Sequence, residues 1–236
     1  RVVTIAVVVA IGVAGFVGMF AVHDSLKTSR DAFYADIRLA DLFAGIKRAP
    51  VSLGERIRAI PGVADVKLDV VFDAQVDLPG VVQPVTGRFI GLDLSAAQAG
   101  RQGLNALSLK QGRWPERGAP LEALVSDRFA AARQLKPGDV VHAILNGRRE
   151  RIHLVGTAAS PEYVFASQGG APDDTGFGIW WIDGARMTEL FDMQGAFNQA
   201  ALRLEAGVPE RAVLTPLDRL LEPYGSIGAV GRDRQL

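Results

Sequence analysis

Few residues in this sequence combine a reactive side chain with a spacing that would let it work. His142 and His153 flank an Asn146-Gly147 pair, the strongest short-range signal for a β-hairpin. Both histidines then lie on its polar face, diagonal with a two-residue loop and directly opposite with a four-residue one. Their neighbours on that face are Val140, Ile144, Arg149 and Arg151, so two guanidiniums oppose a dication and no carboxylate completes a ligand set. Asp173-Asp174 could pair carboxylates for acid-base work, but adjacent residues between Pro172 and Gly176 belong to a turn. Ser126 and Ser160 stand outside any G-x-S-x-G elbow, and no histidine has a context that would make it their base. There is no G-x-x-x-x-G-K-[ST] loop to cradle a nucleoside triphosphate, so any energy source must sit on another polypeptide. The chain has no cysteine, which excludes disulfides, zinc-thiolate sites and thiol catalysis. The residues therefore predict a protein that is not an enzyme, with no catalytic, cofactor-binding or metal-binding residues.

Contact residues are the better expectation. Thr157 and Gly178 bound a long connector containing Pro161, Gly169-Gly170, Pro172 and Gly176, too long for a passive link in a compact domain. Tyr163 and Phe165 on it are candidates for contact with a partner or cargo, the competing expectation being that they fold back onto the chain itself. Trp180-Trp181 instead sits in a strand, pointing one indole to each face and burying at least one.

The elements that would position these residues follow from periodicity and turn chemistry. A short strand over 39–46 leads to a helix that Ser52 and Glu55 would open as a capping box and Pro61-Gly62 would end. Alternation of Val66, Leu68, Val70 and Phe72 with Lys67, Asp69 and Asp73 predicts one long strand over 63–78, and 85–94 another. Residues 95–107 have no clear period. Ser126 would cap a helix running to Leu135, and Pro137-Gly138 would turn it into a strand over 140–145. If the hairpin pairs Leu145 with Arg148, then Val141, Ala143, Leu145, Ile152 and Leu154 share its core face. Beyond the connector come a strand at 177–182, a helix at 184–193, a strand at 198–204 and a helix entered at Pro209 and running to Leu221. This second strand-helix-strand-helix run mirrors the one at 39–78. It predicts an α+β chain in which an α/β subdomain is built from both ends of the extramembrane region, with a β-rich subdomain inserted.

All of this follows residues 2–22, twenty-one residues without a charge between Arg1 and His23-Asp24-Ser25. As a helix that stretch is about 31 Å long, enough to span a bilayer's hydrocarbon core. A signal peptide has a shorter apolar region and a small-x-small cleavage site, which Met19, Phe20 and Val22 do not supply. Ala6, Ala10, Ala14 and Gly18 recur every four residues on one helical face, where small side chains let another helix pack closely in lipid. Leu26, Ala32 and Phe33 among charges continue the helix as a stalk. With 26 basic and 26 acidic residues the net charge is zero, and nothing argues for a nucleic-acid partner. The missing initiator Met, and a chain that reaches Leu236 without a second apolar span, predict an excerpt of a longer protein.

Several runs of this chain resemble the FtsX-like/MacB-like permease subunits of bacterial ABC transporters. They are the span and stalk, Gln111-Gly112-Arg113-Trp114-Pro115, Glu122 to Ser126, Leu135-Lys136-Pro137-Gly138-Asp139 and Val155-Gly156. Ser160-Pro161-Glu162-Tyr163-Val164, Pro172-Asp173-Asp174, Phe177-Gly178 to Trp181, Gly195-Ala196-Phe197-Asn198 and the end at Arg232 to Leu236 look similar as well. The resemblance implies a bacterial inner-membrane protein with residues after about 24 on the periplasmic, extracytoplasmic side. Its organisation would be a transmembrane helix at 1–23, a helical stalk at 24–36, a porter-like α/β subdomain at 37–92 and 178–236, and an inserted β-rich subdomain at 93–177. It implies no cofactor, a separate cytoplasmic ABC ATPase subunit, a second permease copy or homologous half, and a periplasmic partner or lipoprotein. The function implied is coupling of ATP hydrolysis to export or extraction of a lipoprotein, lipid-like or hydrophobic compound. The alternative is a membrane-anchored periplasmic adaptor or binding module, for example a regulator of cell-wall hydrolases.

Overall fold

The computed structural model describes residues 39–81, 83, 85–100, 102–118, 120–163 and 173–232. The apolar stretch at 2–22 with Ala6, Ala10, Ala14 and Gly18, the stalk at 24–36 and Phe165 lie outside the described residues. Among the described residues no helix is long and apolar enough to cross a membrane.

In chain order the elements are β1 (Leu42–Pro50), α1 (Leu53–Arg58), β2 (Val63–Asp69), β3 (Val71–Asp77), β4 (Val85–Leu92), α2 (Leu94–Gln98), β5 (Ser108–Gly112) and β6 (Leu121–Ser126). They continue with α3 (Asp127–Arg133), β7 (Val140–Leu145), β8 (Arg148–Ala159), β9 (Phe177–Asp183), α4 (Gly184–Leu190), β10 (Ala196–Leu204), α5 (Glu210–Leu221) and β11 (Ala229–Gly231).

Four strands from the two ends make one sheet, in the order β11-β1-β10-β2. Both β1 and β2 run antiparallel to β10, so β1-α1-β2 is a β-α-β unit with β10 slotted between its strands. The sequence β1-α1-β2 and then β10-α5-β11 is the split β-α-β arrangement, opened between β2 and β10 to admit everything else. One face is covered by α1 and α5: Leu53, Ile57, Val213, Leu217 and Leu221 pack on Leu42, Ala44, Val66 and Leu202. Each such aliphatic side chain, fully buried, contributes about 1.5–3 kcal/mol.

The other seven strands run in the order β5-β8-β6-β9-β4-β3-β7, and β7 also pairs with β8. That extra pairing closes the sheet into a barrel, which removes the open edges, while β5 flanks the far half of the long β8. Period-two alternation sends Phe89, Val125 and Trp180 into an interior cluster that takes residues from every strand of the ring. Their chain neighbours Ile90, Leu124 and Trp181 go to an outer cluster under α2. Phe129 of α3 and Met187 and Leu190 of α4 complete the interior.

The hairpin forms as the sequence predicts. Leu145 pairs with Arg148, Asn146 and Gly147 have φ of 49° and 75°, and Val141, Ala143, Leu145, Ile152 and Leu154 are buried on one face. Both tryptophans of β9 are buried, one in each cluster.

Four expectations are corrected. The single strand over 63–78 is two, because the chain passes from the small sheet into the barrel at Val70. Consequently β3, β4 and β9 belong to the barrel, and the sheets divide near residues 70 and 195 rather than at 92/93 and 177/178. The mirrored unit at 177–221 is likewise split, with β9 in the barrel and β10 in the small sheet. Ser52 makes no side-chain cap bond: its own backbone is helical, and the Gly54 amide is taken by the Val51 carbonyl at 3.0 Å.

Candidate functional site: a cleft between the small sheet and the barrel

Where the chain passes from β2 to β3 and returns into β10, the two sheets are joined by polar groups. Asn198 on β10 accepts from the Val71 amide at 2.8 Å and donates to the Val71 carbonyl at 2.7 Å. Beside this pin lies a cleft of about 620 Å³. One wall is β2 from Asp65 onward together with Val70 just beyond it, and the opposite wall comes from β4, the loop at 102–107 and the start of α4. Apolar side chains of Ile90, Leu107, Trp181 and Phe197 line its depth, which with a few convergent polar groups is the ordinary composition of a binding site.

The polar groups converge on Glu162, which is buried. Its Oε2 accepts from Asn105 Nδ2 at 2.7 Å and its Oε1 from Gln199 Nε2 at 2.8 Å. Asn105 is itself held, in the left-handed region at φ 56°, by the Ala40 amide, which donates to its Oδ1 at 2.9 Å. The Glu162 amide donates to Ser160 Oγ at 3.2 Å. Lys67 forms an ion pair with buried Asp69 at 3.0 Å. Burial pushes the Glu162 carboxyl above its ordinary value, against the pull of the Lys67 ammonium. For Lys67 burial works the other way, but Asp69 and then Glu162 outweigh it and leave the ammonium above its ordinary value. The site is thus a cleft floored by the buried Glu162 carboxyl, with the Lys67 ammonium beside it.

The domain's entry and exit are tied together beside this floor. Ala40 N–H reaches Asn105, Asp41 pairs with Arg232, and the Arg232 Nε donates to the Ala40 carbonyl at 3.2 Å.

No family model matches this chain, and no curated protein matches it. Solved structures do. The extracellular domain of the ABC-type transporter YknZ from Gram-positive bacteria aligns at 13% identity and a TM-score of 0.48, over 81% of this chain and 98% of that one. The periplasmic region of MacB from Actinobacillus actinomycetemcomitans aligns at 11% identity and a TM-score of 0.48, over 85% and 92%.

Of the sequence's candidates, Tyr163 is at the cleft: it lines the space, packs against the outer barrel cluster and is pushed well above its ordinary pKa by burial and then by Glu162. Ser160 is there too, as an acceptor for the Glu162 amide. The others are elsewhere. Ser126 accepts from the Ile179 amide at 3.4 Å and leaves α3 without a side-chain cap. His142 lies between Asp77 and Arg151, and His153 between Val140 and Glu122. Asp173 closes a turn on Thr175 and Gly176 with bonds of 2.7 to 3.0 Å, which hold its carboxyl below the ordinary range. Glu162, Asn105 and Gln199 come from separate segments and share no spacing that marks them as a site. Glu162 had one signal, being the lone charged residue between His153 and Asp173.

Proposed function

We propose that this chain is the extracytoplasmic domain of an ABC transporter permease subunit, coupled to ATP hydrolysis by a separate cytoplasmic ATPase and acting on a lipoprotein, lipid-like or hydrophobic compound. The observation that carries the reading is the charge-free stretch at 2–22, followed in the sequence after some sixteen residues by this two-sheet domain. The sequence resemblance along most of the chain supports it. So does the pairing of β1 with β11, which sets residues 42 and 231 opposite each other, as suits a domain held by both of its ends. In this reading residues 2–22 cross the inner membrane, with Ala6, Ala10, Ala14 and Gly18 packing on a second permease copy or homologous half. Residues 24–36 are the stalk that carries motion to the domain. Tyr163 is packed on the chain's own barrel but only half-buried, and its exposed part, together with Phe165, contacts a periplasmic partner or the cargo. The domain works by binding and movement, not as an enzyme.

A flexible Gly-Ser segment inserted near Lys27 tests the coupling. Transport is expected to fall to background while nucleotide binding by the partner ATPase is unchanged. Transport at the parental rate with the insertion in place overturns the coupling.

A further inference from the structure

We propose that the cleft beside β2 captures an extended polypeptide segment of alternating basic and apolar residues, by adding it as a strand to the open edge of β2. The inference goes beyond the transport reading and does not depend on it.

The backbone carries the first part. β2 pairs with β10 on one side and, among the described residues, has no strand on its other. Leu202 of β10 lies opposite both Leu42 and Val66, and its carbonyl accepts from Asp41 on the β1 side at 2.7 Å. The Leu202–Val66 pair is therefore the kind without mutual hydrogen bonds, and the Val66 amide and carbonyl turn away from β10. The register is regular over this stretch, so Leu68, two residues on, turns the same way. At the near end the Val66 amide is met by its neighbour's carboxylate, Asp65 Oδ1 at 2.8 Å. At the far end the Val70 carbonyl on the same edge accepts from Gly91 of β4 at 3.0 Å. Between them the amide and carbonyl of Leu68 meet no partner among the described residues. An incoming strand supplies the missing acceptor and donor there, and its carbonyl replaces the exposed Asp65 carboxylate at Val66.

Side chains set the chemistry of the occupant. Asp65, Lys67 and Asp69 project to one face of β2, whereas Val66 and Leu68 join the apolar cluster under the helices on the other. On the first face Lys67 is matched by Asp69, and Glu162 adds a further carboxylate. Asp65 and Asp93 stand exposed on the lining with no ion pair among the described residues, and Arg117 is 3.9 Å from Asp183. The cleft is therefore net acidic. On the second face lie Val66 and the half-buried Leu68, and the exposed Val51, 52% accessible, lines the same cleft. A strand laid along β2 presents alternate residues to these two faces, basic toward the carboxylates and apolar toward Val51.

The test uses the full chain in lipid nanodiscs and, as probe, an alternating Lys/Val peptide of about six residues, the usual length of a strand. Binding is read by fluorescence anisotropy and by amide hydrogen exchange at Leu68. The peptide is expected to bind and to slow exchange at Leu68 by at least about tenfold. A Glu/Val peptide, and a Lys/Val peptide N-methylated at alternate amides, are each expected to bind at least about tenfold more weakly. Asp65→Asn combined with Asp93→Asn, both exposed and outside the core, should weaken the Lys/Val peptide several-fold while leaving the melting temperature in place. No binding, equal binding of the N-methylated or acidic peptide, or binding without slower exchange at Leu68 overturns the proposal. A long-chain amine that occupies the cleft in preference to the peptide, with Leu68 exchange unchanged, overturns it too and assigns the cleft to a cationic amphiphile. All these readouts are of binding, so a loss of transport in the Lys27 insertion leaves them unaffected.

Discussion

The barrel and the small sheet use their strands in opposite ways. The barrel closes through β7–β8, with one apolar cluster inside and another beneath α2 on part of its outside. The small sheet covers one face with α1 and α5 and leaves β2 as an open edge against the cleft. The barrel is a closed ring with β5 on its flank, and it is inserted between two adjacent strands of the sheet. The sheet depends on pairings between residues far apart in sequence, such as Leu42 with Leu202. The closed element stabilises, and the open one is left with backbone groups and charges available to something else. That division is where function is to be sought, at the edge that the fold has not closed.

The largest expected effect comes from breaking the barrel's interior. Trp180 is fully buried, stacked on Phe89 at 5.9 Å between centroids and edge-on to Phe129 at 6.0 Å. Trp180→Ala should cost about 3–5 kcal/mol, seen as a large fall in the denaturant midpoint. Hydrogen exchange sharpens the comparison: amides of β4, β6 and β9 should accelerate more than those of β1 and β10. Equal acceleration in both regions would mean that the two cores open as one. A smaller effect is expected at the pin between them. Asn198→Ala removes both bonds to Val71, each worth about 1 kcal/mol net, so a loss of about 2 kcal/mol is expected. Because the pin joins the regions, this variant should also separate their unfolding in exchange measurements. A single cooperative transition at the parental midpoint would show that Asn198 holds nothing.

The same contrast explains what could be read from the chain. The hairpin at Asn146-Gly147 was legible because its register, turn and buried face are all set by residues within one short window. The α/β part made from both chain ends was legible as element order. Its boundaries were not, because Val66, Leu68, Val70 and Phe72 keep one alternation straight through the point where the chain changes sheets. Nothing local marks Val70 as a crossing; it is made one by pairing with β10 on one side and β4 and β7 on the other. The sheet to which β9 belongs is illegible for the same reason: its partners, β4 and β6, lie in distant segments. The cleft was the least legible feature. Glu162, Asn105 and Gln199 meet from separate segments, and polar residues that meet only in the fold leave no spacing to find.

The smallest effect expected is also the most diagnostic of the cleft. Glu162 is buried on two amide donors, and its carboxyl lies above its ordinary value because burial outweighs Lys67. The folded state then holds this proton more tightly than the unfolded one, so between the ordinary and the raised value the folded chain binds more protons. Stability attributable to Glu162 therefore falls as pH rises through that interval and stays lower above it, the reverse of an ion-paired surface acid. Lys67, the cation facing it, is shifted upward and stays charged throughout, and Asp69 is engaged with Lys67 at 3.0 Å. Glu162→Gln keeps the shape and removes the titration. Its amide accepts from Asn105, which the Ala40 amide holds in place, and the side-chain amide of Gln199 turns over to accept from it. Unfolding free energies measured from about pH 4 to 8 should show wild type losing ground to the variant as pH rises, then levelling off. A difference that stays flat across the range, or one that grows in favour of wild type, would mean that the carboxylate is solvated and that the floor of the cleft is open to water.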